Sequence, residues 1–119
     1  MPVPSPKIVI LIRADPTKDH RAVEALRIAL GLGSHNEGQN LTLVLTHRAP
    51  LLLGEDNSEI VDAEILERHL PVFIEWGTPF GIAADAVAPS RYLPGCVTKP
   101  MTLSDIAALL KVADRVLIF

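Results

Sequence analysis

Five consecutive aliphatic residues, Ile8-Val-Ile-Leu-Ile12, constrain this chain more than any other stretch. A strand with one wet face needs an apolar side chain only at every second position. A run that is apolar throughout, bounded by Lys7 and Arg13, fits a strand buried on both faces. Such strands belong to parallel sheets with helices packed on either side. Further short apolar blocks at Leu41–Leu45, Val72–Glu75, Cys96–Lys99 and Arg115–Phe119 supply four more candidate strands.

Helix signals fall between these blocks. Thr17 to Gly31 carries Val23, Leu26 and Leu30 at i, i+3 and i+7, with Gly31 and Gly33 as the stop. Ala49 to Gly54 reads as a single apolar turn. Asp56 with Glu59 resembles a capping box for a helix running to Leu70, closed by Pro71. Thr78 followed by Pro79 reads as the cap and first residue of a helix to Val87. Thr102 and Asp105 form a capping box, with Met101 and Ile106 placed as a hydrophobic staple. Strand and helix alternate with right-handed crossovers. The expected fold class is therefore α/β: a three-layer α/β/α sandwich around a mostly parallel five-stranded sheet. One domain is expected over residues 1–119, with residues 1–6 a flexible, proline-rich leader.

Composition narrows the function classes. With 49% hydrophobic and 21% charged residues the chain is globular, and a net charge of -3 gives no electrostatic footprint for nucleic acid. The single cysteine, Cys96, permits no internal disulfide and no cysteine-based metal cluster, and suits a reducing compartment. Neither a secretory signal nor an apolar run of about 20 residues is present, so the expected location is the cytoplasm, without membrane insertion. No metal and no cofactor are expected.

In open α/β sheets ligands bind beyond the carboxyl ends of the strands. At these expected ends stand Arg13 and Asp15, then His47 and Arg48, then Glu75, Trp76 and Thr78, and finally Lys99. These eight are the candidate ligand-binding residues. Each also reads plainly as a solvated loop residue, and Trp76, the lone tryptophan, equally as a packing residue at a subunit contact. Cys96 is a candidate nucleophile or persulfide carrier, whose pKa Lys99 would lower if both were exposed, or simply a small buried apolar residue. Two look-alikes fail. Lys99-Pro100 before a helix is also found in response-regulator receiver domains, but the acidic groups those domains need after strands one and three are absent. Gly31-Leu-Gly33 ends a helix and does not follow the first strand, so it is no dinucleotide fingerprint.

The layout from Lys7 to Phe119 resembles the DsrE/DsrF-like family of small sulfur-relay proteins, which includes the TusC and TusD subunits. The resemblance is carried by Ile8-Val-Ile-Leu-Ile12, Ala22-Val-Glu-Ala-Leu26, Leu41-Thr-Leu-Val-Leu45 running into Ala49-Pro-Leu-Leu-Leu53, and the closing Ala113-Asp-Arg-Val-Leu-Ile-Phe119. It implies a five-stranded α/β/α fold and an obligate oligomer: a homomeric trimer or hexamer, or a hetero-oligomer with related subunits. It also implies a persulfide-carrying cysteine near the start of the helix after strand three. The stretch expected there, Glu75-Trp-Gly-Thr-Pro-Phe-Gly81, has none. The resemblance thus implies a non-catalytic accessory or structural subunit linked to sulfur relay. The alternatives are an anion- or nucleotide-binding module on the strand edge and a sulfurtransferase working through Cys96.

Overall fold

The computed structural model describes residues 6–119, so the expected leader lies, apart from Pro6, outside the described residues. The first strand, β1, spans Ile8–Ile12 and is followed by helix α1 at Arg21–Gly33. Strand β2 spans Leu41–Leu45, and a 3-10 turn at Ala49–Leu53 leads towards helix α2 at Ala63–Trp76. Then come β3 at Pro79–Ala83, β4 at Val97–Met101, α3 at Leu103–Val112 and β5 at Arg115–Ile118. All strand pairs are parallel, in the order β4-β3-β2-β1-β5.

Strand periodicity divides the core in two. Ile8, Ile10 and Ile12 share one side of the sheet with Leu43, Leu45 and Phe80, where they meet Val23 and Leu26 of α1 and Leu66, Leu70 and Phe73 of α2. Val9, Val44 and Ala83 point to the other side and meet Ile106 of α3. The expected double burial of β1 and the α/β/α layering are therefore present. Phe73 joins the larger core edge-on to both Trp76 and Phe80, with ring centroids 5.5 and 6.1 Å away. The capping box of α3 forms as expected: Asp105 N–H donates to Thr102 Oγ1, and Thr102 N–H to Asp105 Oδ2.

The middle of the chain differs from its sequence reading. Val72–Glu75 is not a strand, because α2 continues through Pro71 to Trp76. Leu66, Leu70 and Phe73 keep one helical stripe buried on both sides of the proline, whose ring sits on the exposed face. The helix stops at Gly77, in the left-handed region at φ 70, where Gly77 N–H donates to Ile74 O and Thr78 N–H to Phe73 O. Pro79 then opens a strand, a position where a missing N–H is tolerated, and no helix forms from Pro79 to Val87. Asp56 caps no helix; its carboxylate accepts from Ser58 N–H, and α2 begins only at Ala63. Helix α1 likewise starts four residues later than Thr17 and runs on through Gly31 to Gly33.

Candidate functional site

The carboxyl ends of β1 and β2 deliver what the sequence placed there. Beyond β1, Asp15 accepts hydrogen bonds from both the N–H and the Oγ1 of Thr17, at 2.9 and 2.7 Å. Its second oxygen accepts from Arg48 Nε at 2.9 Å, tying the β1 and β2 loops together. Burial pushes the Asp15 carboxyl up, but the two Thr17 bonds and the Arg48 guanidinium outweigh it and hold the group below its ordinary value. Arg13 and His47 are exposed at the same edge. His47 holds a left-handed backbone at φ 56, places Nδ1 2.8 Å from Thr46 Oγ1, and accepts from Val87 N–H at 2.7 Å, which anchors the β3–β4 connection.

A depressed carboxylate makes acid stability a test of this arrangement. The stabilising contribution of Asp15 is complete above its unfolded value near 3.8 and disappears as pH falls through the lower folded value. Denaturation curves taken from about pH 6 to about pH 3 should therefore show Asp15→Asn less stable than the parent at the upper end. The difference should shrink towards the lower end. A constant difference across the window would mean that the ionised carboxylate stabilises nothing.

The other candidates lie elsewhere. With β3 beginning at Pro79, Glu75, Trp76 and Thr78 precede that strand and stand at the amino edge of the sheet, not beyond its carboxyl edge. Trp76 packs against the main core, and Thr78 is buried with an Oγ1 that has no hydrogen-bond partner among the described residues. Lys99 is the middle residue of β4, exposed on the sheet, and does not follow the strand. Cys96 directly precedes β4, also at the amino edge. It is half-buried against the main core, and burial pushes its thiol up.

A cleft of about 550 Å³ opens beside the Asp15–Arg48 pair. One wall is the β2–α2 connection, with Arg48, Leu51, Glu55, Asp56, Glu59 and Ile60; the other is the β3–β4 connection, with Pro89, Ser90 and Arg91. The two walls are stitched together by Glu55 N–H to Arg91 O, Leu93 N–H to Leu53 O and the Gly54–Tyr92 bridge. Arg48 alone of the eight sequence candidates lines this cleft. Arg91, Glu55 and Glu59 were missed because no strand ends beside them in the sequence; the clustered charge around the Gly54 and Pro89 turns was the available signal. Among the described residues no three His, Cys, Asp or Glu side chains are placed to hold a metal ion.

No family model and no curated protein matches the chain. Its fold is nevertheless similar to a solved one, the crystal structure of the ychN protein from E. coli. The TM-score is 0.72 with 20% identity, and the match covers 96% of this chain and 99% of that one. The fold is DsrE-like. The segment after the third strand begins at Ala84, not at Glu75 as the sequence suggests. The corrected segment also lacks a thiol: no cysteine occurs between Ala84 and Gly95. Among the described residues no helix is long and apolar enough to cross a membrane.

Proposed function

We propose that the chain is an oligomeric DsrE/DsrF-like protein serving as a non-catalytic accessory or structural subunit in intracellular sulfur relay. The observation that carries this reading is the thiol-free segment after β3. The chain's one cysteine lies at the opposite edge of the sheet, half-buried, and burial pushes its thiol up, away from the thiolate. Persulfide chemistry needs an accessible thiolate. A reading in which Cys96 carries sulfur has neither the location nor the ionisation in its favour.

The α3 side of the sheet supports the oligomer. A helix about 10 Å across shields roughly two strands spaced at about 4.8 Å, and among the described residues α3 is the one helix on that side of a five-stranded sheet. Val97 on β4 and Val116 and Ile118 on β5 face that side by strand parity and are exposed, as are Leu103 and Val112 of α3. Leu103 is 83% and Ile118 60% accessible, apolar surface that a neighbouring subunit would cover.

Two measurements test the proposal. Native mass spectrometry should give a multiple of 12.9 kDa, falling to 12.9 kDa in Leu103→Glu/Ile118→Lys, whose side chains are exposed in the single chain. Incubation with a persulfide donor, read by intact mass, should add no sulfur. A parent protein that is strictly monomeric at micromolar concentration refutes the oligomer. A sulfur adduct lost in Cys96→Ser refutes the non-catalytic role.

A further inference from the structure

The cleft at the carboxyl edge carries two guanidiniums, Arg48 and Arg91, and three carboxylates, Glu55, Asp56 and Glu59, with Asp15 as a fourth behind Arg48. Its field is therefore net negative. A free phosphate or nucleotide entering it would meet more carboxylates than guanidiniums. A divalent cation finds no converging set of ligands among the described residues. A ligand with a single charge of either sign leaves one half of the lining opposed or unused.

Within this field the two arginines are not equally committed. Arg48 spends Nε on Asp15, which fixes the plane of the guanidinium, while its two terminal nitrogens donate to no described group. That is the end-on fork suited to a carboxylate. Arg91 lies 3.7 Å from Glu55 in an exposed pair, which is loose enough to exchange partners. Glu59 makes no ion pair among the described residues and is open to an ammonium group. Between the charges Leu51, Ile60 and Pro89 supply apolar wall. The volume, about 550 Å³, falls in the range of about 300–1,000 Å³ usual for small-molecule sites.

We propose that this cleft binds a small zwitterion, an amino acid or short peptide, whose carboxylate docks on the Arg48 fork and whose ammonium faces Glu59. This site goes beyond the oligomer and sulfur-relay reading and does not depend on it. Asp15 acts as a positioning residue for Arg48, and the β3–β4 connection forms the far wall through Arg91.

Thermal-shift and calorimetric titrations of the full chain test this directly. The zwitterionic probes are L-alanine, L-leucine and the dipeptide alanyl-leucine; the single-charge probes are acetate, n-butylamine and inorganic phosphate. At least one zwitterion is expected to raise the melting temperature at millimolar concentration, with the single-charge probes giving no shift. Free amino acid and dipeptide arms separate the two sources of the same chemistry. Arg48→Gln and Glu59→Gln should each weaken binding about tenfold or more, the loss of a charge-assisted hydrogen bond. Glu59 is exposed and in no ion pair among the described residues, so its variant keeps the fold even if loss of the Asp15 contact disturbs Arg48→Gln. Binding of phosphate or acetate as tight as that of every zwitterion overturns the proposal. So does the absence of any zwitterion shift, or zwitterion binding that Glu59→Gln leaves unchanged. Oligomer mass is read separately, so failure here leaves the sulfur-relay reading standing.

Discussion

Phe73→Ala is expected to destabilise the chain by about 3–5 kcal/mol, a large part of the roughly 5–15 kcal/mol that holds a domain of this size together. Phe73 is fully buried where α2 meets the sheet, and its ring stands edge-on to both Trp76 and Phe80. Removing it empties a site whose neighbours belong to different elements, a helix end and a strand, so collapse can close only part of the cavity. Urea denaturation followed by Trp76 fluorescence measures the effect. The midpoint should drop sharply, and the emission should shift as the indole loses its neighbour. A loss below about 1 kcal/mol would mean that this aromatic cluster is not the centre of the core.

Gly38→Val is expected to cost about 3 kcal/mol, combining left-handed backbone strain with overpacking. Gly38 sits at φ +78 in the turn before β2, and a Cβ there would lie 3.0 Å from Trp76 Cε3 and 3.1 Å from Thr78 Oγ1. Its N–H donates to Gly33 O and its carbonyl accepts from Leu41 N–H, so the turn cannot swing aside without releasing both. Gly31 makes the matching control. It lies within α1 with nothing inside 4 Å of an added Cβ, and Gly31→Ala should be neutral or gain up to about 1 kcal/mol from helix propensity. Equal effects at the two glycines, read by thermal melting, would refute the packing assigned to the Gly38 turn.

The contrast between Trp76 as read in the sequence and as found shows where local signals end. β1, β2 and α3 are legible because each carries a signal that tertiary packing only reinforces: the aliphatic run of β1, the block Leu41–Leu45, and the Thr102–Asp105 capping box. Between Pro71 and Pro79 two proline rules pointed the wrong way. Pro71 reads as a stop, yet the buried stripe through Leu70 and Phe73 holds the helix together across it. Pro79 reads as a helix start, yet it opens an inner strand that pairs with Leu43–Leu45 through Phe80–Ile82. The informative residue was Gly77, whose left-handed backbone ends the helix. That shift moved Glu75, Trp76 and Thr78 from one edge of the sheet to the other. It left Asp15 and Arg48 as the joined pair of the site, with Arg13 and His47 beside them. Arg91 and Glu59 were not legible, because only the folded β3–β4 connection brings the Pro89 and Asp56 turns face to face.

Strand β1 lies between β2 and β5, and Ile8 pairs with Arg115 across almost the whole chain. Lys7 clasps the join, its N–H donating to Asp114 Oδ2 and its carbonyl accepting from Asp114 and Arg115 N–H. During synthesis this aliphatic strand therefore emerges about a hundred residues before β5 and keeps one bare edge until β5 follows. At about 5–20 residues per second that interval is roughly 5–20 s, in which unpaired amides and carbonyls face the crowded cell. In that interval the segment a holding chaperone would have to cover is Ile8–Ile12.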